Sequence, residues 1–402
     1  MTKCRVCQKK IVQFFTLGKM PLVNAFLKKS DFSTEKKFDL SIGFCQTCFL
    51  VQLMHNVDPK ELFNKYLYFS SVTDSIIDHS KKTADRLIKK LKLTKSSLVM
   101  EIGSNDGVHL RFYKQKGIGI LGIDPAKNVA LEANKKGIKT LPVFFNEKLA
   151  KKLVQKKIRA DVVYGANVFA HIPTIVDTVK GLKIILKENG TLVFESPYIK
   201  GLLENKFDTI YHEHVFYYSL IALQNLFGQV DMEVYDIDFI PMQGGSLRIY
   251  VGNKNVHRVS KQVKDLESQE YKDKLDKLST YMKMGKSVLL LKKDLQNLLK
   301  KLKKNKKKIV AYGAPAKGVI LLNYFQLKSF IDYLVDRSPA KQGRYIPGVH
   351  ILIENPQRII EDKPDYVLIL SWNIADEIIN QLSRYKKSGG KFIVPIPQVK
   401  VL

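Results

Sequence analysis

A regular alternation of short apolar runs and helix-like segments most constrains how this chain folds. The runs are LVMEIG, GILGID, DVVYGAN and TLVFES, at residues 98–103, 119–124, 161–167 and 191–196. Strands that are apolar throughout and are separated by crossover helices are typical of a parallel sheet covered on both faces. The alternation therefore predicts a doubly wound, Rossmann-like α/β domain in the middle of the chain.

A second α/β unit is predicted near the C-terminus, because 402 residues are too many for one compact core. The segment KIVAYGAPAKG at 308–318 predicts a strand, a glycine turn and a helix, and FIDYLVD, YVLIL and KFIVPIP continue the pattern. A strand SLRIYVG and one or two charged helices over 258–305 precede this unit. We predict an N-terminal module at 1–75, a middle domain at 76–252 and a smaller C-terminal α/β domain at 253–402.

Composition and charge argue against membrane and nucleic-acid partners. No apolar run reaches the ~18 residues of a membrane-spanning helix. The N-terminal MTKCRVCQKK lacks the apolar segment of a signal peptide, which predicts a cytoplasmic protein. The formal net charge is +29, but the basic residues are mostly lysine and are spread along the whole chain. This distribution favours solvated faces, with help in holding a phosphorylated small substrate as a second interpretation and nucleic acid as a third.

All four cysteines lie in the first 48 residues, as the pairs Cys4-x-x-Cys7 and Cys45-x-x-Cys48. Two thiolates from one tight turn reach the same ion, and two such turns complete a closed tetrahedral zinc shell. Disulfide or redox use is the alternative, and it fits an intracellular chain less well. The spacing therefore predicts a structural Zn²⁺ site in the N-terminal module.

The glycine turn in VMEIGSNDGVHL follows the first apolar run and predicts a ligand site at the end of a parallel strand. Gly103 would let the backbone approach the ligand, and Asp124, at the end of the second run, is placed to accept from two ribose hydroxyls. A dinucleotide requires G-x-G-x-x-G, whereas Ser104, Asn105 and Asp106 make this turn polar and acidic. An acidic turn repels a pyrophosphate and suits a cationic sulfonium, so S-adenosylmethionine (SAM) is favoured over NAD and over a purely structural turn.

The third apolar run ends in Gly165-Ala166-Asn167, a small and polar terminus that suits the methionine part of the same cofactor. We therefore expect the ends of these three strands to form one SAM site. The predicted cofactor residues are Glu101, Gly103, Asn105, Asp106, Asp124, Pro125, Ala166 and Asn167.

The stretch YHEHVFYYS at 211–219 places Glu213 between His212 and His214 among aromatic residues. A metal site would need three adjacent side chains to converge, whereas a strand turns alternate side chains to opposite faces. Packing of the aromatic residues in a core is a second interpretation. We favour a third, an acid–base site, because a histidine of near-neutral pKa beside a carboxylate is a tunable base.

Motifs along nearly the whole chain resemble, in the same order, the sugar C-methyltransferases. These enzymes add a methyl group to a ring carbon of a nucleotide-linked ketodeoxysugar. The motifs are the two CxxC pairs, YLYFSSVTDS, EIGSNDG, GANVFAHIP, IYHEHVFYYS, GGSLRIYV, AYGAPAKG and VDRSPAKQGRYIPG. The resemblance implies SAM, a small-molecule nucleotide-sugar substrate and methyl transfer through an enolate, and it leaves the sugar and the oligomeric state open.

The same resemblance implies roles for individual residues. It makes His214 the base that removes the proton next to a ketone, with Tyr211 and Glu213 beside it in the sugar pocket. It implies polar contacts to the sugar from Tyr68 and His171. The alternatives are plain packing for Tyr68 and the capping of a helix for His171.

The GAPAKG turn predicts an anion site, because backbone amides and Lys317 meet there at a helix N-terminus. On this interpretation Lys317, helped by Arg344, binds the substrate diphosphate; in the alternative, the turn only packs on the middle domain. The predicted substrate-binding residues are Ser70, Ser71, Lys317 and Arg344. Two other functions stay open on the sequence: methyl transfer to oxygen or nitrogen by the same architecture, and a zinc-containing basic protein that binds RNA without catalysis.

Overall fold

The computed structural model describes residues 2–58, 62, 70–72, 74–241 and 245–402, which form three sheets and their covering helices. The strands are β1 Val12–Pro21, β2 Lys37–Phe44, β3 Val51–Leu53, β4 Leu98–Ile102, β5 Gly119–Ile123, β6 Thr140–Leu141, β7 Ala160–Ala166, β8 Leu186–Pro197, β9 Phe216–Tyr217, β10 Met232–Ile240, β11 Ser246–Asn253, β12 Ile309–Tyr312, β13 Leu334–Val335, β14 Ile353–Glu354, β15 Tyr366–Ile369, β16 Lys391–Val394 and β17 Lys400–Val401. The helices are α1 Asp74–Lys90, α2 Leu110–Lys114, α3 Lys127–Lys135, α4 Glu147–Gln155, α5 Ile175–Ile185, α6 Lys200–Leu203, α7 Leu220–Gly228, α8 Lys261–Lys272, α9 Leu278–Lys304, α10 Ala316–Tyr324, α11 Gln357–Asp362, α12 Ala375–Gln381 and α13 Ser383–Lys387.

The middle sheet has seven strands in the order β10-β11-β8-β7-β4-β5-β6. The four apolar runs of the sequence form β4, β5, β7 and β8, which pair in parallel as predicted. β11 is antiparallel to both of its neighbours. Because the strand order reverses between β4 and β7, the loops that follow these strands border the crevice where such sheets bind ligands.

The C-terminal sheet has the order β14-β13-β12-β15-β16-β17. Its first five strands are parallel, and β17 is an antiparallel edge strand. The predicted strand, glycine turn and helix are β12, the turn at 313–315 and α10. The predicted α/β fold class, with a zinc module and two Rossmann-like units, is therefore confirmed.

The N-terminal sheet is antiparallel, in the order β1-β2-β3-β9. Its fourth strand comes from far along the chain: Val51 pairs with Tyr217, and the backbone N–H of Leu53 donates to the carbonyl of Val215 at 2.9 Å. The strand that follows the YHEH motif thus belongs to the N-terminal sheet, although β8 before it belongs to the middle sheet. This arrangement holds the YHEH loop at the junction between the two.

One apolar core joins the N-terminal and C-terminal units. The charged helices predicted over 258–305 are α8 and α9, and α9 packs across the N-terminal sheet through the fully buried Tyr281. The Tyr281 ring lies 4.7 Å from that of Phe44 and 5.4 Å from that of Phe14. Within the described ranges, no helix combines the length and the apolarity that crossing a membrane requires.

Candidate active site

The four cysteines converge at one end of the N-terminal sheet. Their Sγ atoms all lie within 4.8 Å of one another, with 3.5 Å between Cys4 and Cys48 and 3.3 Å between Cys7 and Cys45. None of the four forms a disulfide. A tetrahedral shell with Zn–S bonds of about 2.3 Å places its sulfur atoms roughly 3.8 Å apart. The four thiols therefore fit one Zn²⁺ ion and leave no ligand position open.

Each cysteine pair is closed by the same backbone hydrogen bond. The N–H of Gln8 donates to the carbonyl of Cys4 at 3.0 Å, and the N–H of Phe49 donates to that of Cys45 at 2.8 Å. The fully buried Gln52 on β3 also donates from Nε2 to the Sγ of Cys4 at 3.1 Å. A donor to a thiolate stabilises its negative charge and fixes its orientation. The four-cysteine cluster and β3 are therefore directly linked.

The glycine turn after β4 is held by the Asp124 carboxylate. Asp124 Oδ2 accepts from the N–H of Asn105 at 2.8 Å, and Oδ1 accepts from that of Ala126 at 2.9 Å. Gly103 has a φ of +69°, and a Cβ on it would meet the side chain of Val168 at 2.8 Å, so a larger residue does not fit there. Burial raises the pKa of Asp124. Asp124 thus builds the turn in addition to facing the predicted ribose position.

Several buried polar atoms around this turn have no hydrogen-bond partner in the part of the chain that the structure describes. They are Glu101 Oε2, Ser104 Oγ, Asp106 Oδ1 and Asn167 Oδ1. Burial, with the nearby charges of Asp124 and Asp106, raises the pKa of Glu101 well above its usual range. A buried set of acceptors and carboxylates attracts a ligand that carries positive charge and N–H or O–H donors. These residues therefore fit SAM.

The segment before the middle domain lies against the same turn. The N–H of Ser70, in the 3-10 turn Ser70–Val72, donates to Asn105 Oδ1 at 3.0 Å. The helix that follows, α1, is anchored by His79, whose Nε2 lies 2.7 Å from Glu195 Oε2. Arg248 Nε donates to the other oxygen of the same carboxylate, Glu195 Oε1, at 2.9 Å. Sequence analysis missed this buried ionic network. The predicted sugar contact Tyr68 lies outside the described residues.

The His214 imidazole is held at both of its nitrogens. Nδ1 lies 2.9 Å from the carbonyl of Thr209, and Nε2 lies 2.7 Å from the hydroxyl of Tyr211. A carbonyl only accepts, so Nδ1 carries the hydrogen, and the Nε2 lone pair accepts from Tyr211. Burial, the adjacent His171 and the positive charge of Lys317 hold the pKa of His214 well below its usual range. The ring is thus a neutral imidazole whose Nε2 lone pair is a hydrogen-bond acceptor.

His171 packs edge-on against His214, with 4.8 Å between the ring centroids. Burial lowers the pKa of His171 to about 4. His171 does not cap the following helix, because the N-cap of α5 is Thr174. Beside His214 lies a small cavity between the end of β8 and the YHEH loop. Its lining includes Ala170, Ser196, Tyr198, Lys206, His214 and Gly245.

The other two charged or titratable residues of the motif turn towards the N-terminal module. His212 is buried, and its Nε2 lies 3.2 Å from the carbonyl of Phe38 on β2. Glu213 Oε1 accepts from Asn24 Nδ2 at 2.6 Å, and burial raises the pKa of Glu213 to about 7. The three side chains therefore share no point at which a metal ion could bind. His212 and Glu213 anchor the loop, while His214 contacts Tyr211 and His171 at the cavity.

Lys317 comes from the first turn of α10 but is buried, with only 9% of its surface exposed. Its ammonium group lies 5.0 Å from the ring centroid of Trp372, and Trp372 Nε1 donates to Asp208 Oδ2 at 2.6 Å. Lys317 is thus buried beside Trp372, whose indole contacts the turn that precedes the YHEH loop. Arg344 lies in the 336–345 loop, where its carbonyl accepts from the N–H of Ile353.

Sequence analysis missed Asn24, Asp208 and Trp372. Asp208 stands three positions before Tyr211, and Trp372 is the single tryptophan of the chain, but neither fact indicates a pairing. Asn24 lies in the mostly apolar segment LVNAFL at 22–27, and no pattern in the sequence singles it out.

The sheet order, the glycine turn and the buried acceptors define a SAM-dependent methyltransferase. Family models agree: "Putative zinc binding domain" matches residues 4–63, "Methyltransferase domain" matches 77–237, and "C-methyltransferase C-terminal domain" matches 241–397. C-methyltransferase NovU of Streptomyces niveus is 34% identical over 405 aligned residues, which cover 100% of this chain and 96% of NovU. The chain belongs to this C-methyltransferase family, which favours a carbon acceptor over the alternatives that the sequence left open.

Solved structures share parts of the fold at low similarity. The PH0226 protein from Pyrococcus horikoshii OT3 is 14% identical with a TM-score of 0.39, covering 48% of this chain and 99% of that one. Magnesium protoporphyrin IX methyltransferase (ChlM) from Synechocystis PCC 6803 is 12% identical with a TM-score of 0.36, covering 44% and 83%. At these values neither structure bears on the substrate or the mechanism.

Proposed function

We propose that this C-methyltransferase methylates a ring carbon of a nucleotide-linked 4-ketosugar through an enolate. The observation that carries the proposal is the state of His214. Its Nδ1 hydrogen is donated to the carbonyl of Thr209, and its Nε2 lone pair is a hydrogen-bond acceptor on a side chain that lines the cavity. Carbon has no lone pair to methylate, so a carbon acceptor next to a ketone must first lose a proton. A neutral, fixed imidazole is suited to that step.

In the proposed step, His214 Nε2 takes the proton from the carbon next to the ketone. The electron pair of the broken C–H bond forms the C=C bond of the enolate, and the negative charge moves to the former ketone oxygen. The Tyr211 hydroxyl, which donates to Nε2 in the free protein, turns to this oxygen and donates to it. His171 is held neutral by burial and packs the base from the side.

SAM, when bound, supplies an electrophilic methyl group. We assign its ribose to Asp124, and the positively charged methionine part to the buried acceptors Glu101, Asp106 and Asn167. Gly103 and Asn105 shape the turn, and Pro125 and Ala166 border it at the strand ends. The Zn²⁺ ion is structural in this proposal, because four thiolates close its shell.

For the sugar nucleotide, we assign Ser70 and Ser71 to the cofactor side of the pocket, since the Ser70 backbone already contacts the glycine turn. Lys317 supplies positive charge from the C-terminal domain, and Arg344 remains our assignment for the diphosphate. In this proposal each predicted domain has its own role: 1–75 holds the structural zinc, 76–252 binds the cofactor and 253–402 contacts the nucleotide. Tyr68 stays a predicted sugar contact.

Proton exchange tests the proposal directly. The protein is incubated in deuterated water with nucleotide-linked 4-keto-deoxysugars and S-adenosylhomocysteine, without a methyl donor. We expect one deuterium to enter at the carbon next to the ketone, measured by NMR and mass spectrometry. A sugar that is methylated with SAM but exchanges no proton would point to transfer onto oxygen or nitrogen and would overturn the enolate.

A further inference from the structure

We propose that Asp208 is a positioning residue of the reaction site, whose carboxylate acts across the indole of Trp372 to keep the Lys317 ammonium group charged. The inference deepens the proposed function and rests on it for the chemical role of Lys317. Asp208 lies in the 3-10 turn Phe207–Thr209, directly before the YHEH loop. Neither the sequence pattern nor the family resemblance singles it out.

Asp208 is a fully buried carboxylate with an incomplete set of partners. Oδ2 accepts from the indole N–H of Trp372, whereas Oδ1 has no hydrogen-bond partner among the residues described. A buried carboxylate is costly unless an opposite charge compensates it. Lys317 is the cation whose charge acts on Asp208, and it too is almost completely buried.

Trp372 joins the two charges. Its N–H donates to the carboxylate, and its ring lies 5.0 Å from the Lys317 ammonium, a distance suited to a cation–π contact. The indole is itself only 8% exposed, so it shields the pair from solvent. Interactions between charges are stronger where water is excluded. The three residues therefore form a fixed electrostatic unit.

The turn that carries Asp208 also carries the partner of the base. The carbonyl of Thr209, the next residue, receives the Nδ1 hydrogen of His214. One short turn thus fixes the imidazole through its backbone and contacts, through its side chain, the indole that packs against the ammonium group. Lys317 belongs to the C-terminal sheet unit, so Asp208 is a point at which that unit reaches the base.

The charged groups that face Lys317 from the described elements act in opposite directions. Asp208 raises the pKa of Lys317, while burial and the positive Lys206 lower it. Lys206 lines the cavity and pairs with Glu204 at 2.9 Å. Lys317 in turn lowers the pKa of His214, the imidazole that packs against His171. With Asp208 in place, Lys317 keeps its charge, favours a neutral base before proton removal and stabilises the enolate after it.

Asp208→Asn is the direct test, because asparagine keeps the size and the acceptor for Trp372 but removes the charge. The first measurement needs no substrate. Lysine labelled with ¹³C at Cε is titrated by NMR, with Lys317 assigned from the signal that is missing in Lys317→Arg. We expect the titration midpoint of Lys317 to fall by about 1–3 pH units in Asp208→Asn, the range typical of losing an opposite charge. An unchanged midpoint overturns the inference.

Activity provides the second measurement. We expect kcat to fall by roughly 10-fold to 100-fold in Asp208→Asn, the scale of a misplaced catalytic group, and the alkaline limb of its pH profile to move to lower pH. The double variant Asp208→Asn with Lys317→Arg should recover the alkaline limb, because arginine stays protonated. A variant that loses activity equally at every pH, with no recovery by arginine, would show a merely structural role and would overturn the inference.

Two controls separate the possible failures. Trp372→Phe keeps an aromatic ring near the ammonium group but removes the N–H donor and part of the indole surface. Because the Asp208 charge remains, the Lys317 midpoint should move less than in Asp208→Asn. SAM binding by calorimetry checks that each variant is folded. If the Lys317 midpoint moves in Asp208→Asn but the wild-type protein exchanges no proton from any 4-ketosugar, the proposed function fails while the Asp208–Lys317 pair stands.

Discussion

The glycine turn after β4 takes its side chains from neighbouring strands of one sheet, whereas the YHEH loop and the turn before it are contacted from the N-terminal and C-terminal units as well. Asp124 and Glu101 stand at the ends of β5 and β4, and the Asp124 carboxylate accepts from the backbone of the turn that follows β4. His214, by contrast, lies on a loop that Asn24 anchors from the N-terminal module and that Lys317 approaches from the C-terminal unit. Cofactor binding is therefore a property of one domain, and acceptor chemistry depends on how three units pack.

The two regions also differ in charge. Buried carboxylates lie around the glycine turn and raise the pKa of Glu101. By contrast, the buried ammonium group of Lys317 and the imidazole of His171 help to lower the pKa of His214. An excess of negative charge suits a sulfonium ligand, and nearby positive charge suits an enolate. Each region is thus matched to the charge that we propose it must stabilise.

Removing the zinc site should separate the two regions most strongly. In Cys45→Ser we expect the ion to be lost. Zinc binding contributes about 10–16 kcal/mol to the folding of small zinc peptides, so the module that carries β3 should loosen and release β9 and the YHEH loop. Methyl transfer should then disappear while SAM still binds. Elemental analysis, limited proteolysis and calorimetry measure the three effects.

A Cys45→Ser protein that lacks zinc but keeps wild-type proteolytic resistance and activity would contradict this dependence. Lys3→Ala, on the exposed surface next to the cluster, is a matched control that should leave all three measurements unchanged.

His214→Asn should strongly reduce turnover and leave the affinities for SAM and for the sugar nucleotide unchanged. Asparagine keeps hydrogen bonding but cannot accept the proton, so turnover should fall by about 10²–10⁴, the range typical of losing a positioned acid–base group. The affinities for SAM and for the sugar nucleotide should persist. Proton exchange should vanish together with methylation, because both need the same enolate. A variant that still exchanges at the wild-type rate would assign His214 to a later step.

Asp124→Ala should do the reverse and weaken the cofactor alone. Losing a charged acceptor costs roughly 1.5–3 kcal/mol, or roughly 10-fold to 150-fold in the Kd of SAM, and the variant also leaves the N–H groups of Asn105 and Ala126 without their acceptor. Proton exchange on the ketosugar without SAM should survive. Unchanged SAM affinity in a folded Asp124→Ala protein would place the ribose elsewhere.

Glu213→Gln should give the smallest effect, seen as a change in the pH dependence of stability. The folded-state pKa of Glu213, about 7, lies above its usual 4.5, so the folded protein holds this proton more tightly than the unfolded chain does. The stability due to the protonated form is therefore lost as pH rises towards and through 7. Glutamine cannot lose a proton, so the free energy of unfolding of the variant should rise relative to wild type between pH 5 and pH 8.

Urea unfolding at these two pH values measures the difference. Asn24→Ala offers a check of opposite design, because removing the donor to the Glu213 carboxylate should raise its pKa further and steepen the loss of stability. A difference between Glu213→Gln and wild type that is the same at both pH values would mean that Glu213 titrates normally in the folded protein.

Local signals made the glycine turn and the four-cysteine cluster predictable from sequence. Gly103 requires a positive φ, Asp124 ends an apolar run, and the cysteine spacing fixes a ligand turn. No local pattern predicts the contacts of the YHEH loop and of the turn before it, because Asn24 and Glu213 are 189 residues apart and Asp208 and Trp372 are 164 apart. Pairings of that range follow from how the units pack, and β9 is too short to leave a periodic pattern. His214 was identified through family resemblance rather than from its spacing.

The pairing of β3 with β9 also imposes an order on synthesis. Val51 leaves the ribosome long before Tyr217, its partner in the finished sheet. At typical synthesis rates of about 5–20 residues per second, that wait lasts roughly 8–33 seconds. During this time the apolar edge of β3 is uncovered, and its length of three residues limits mispairing with other chains. Strands β4, β5, β7 and β8 are all made in the same interval, so a growing chain has the strands that carry the proposed SAM site before the YHEH loop is anchored.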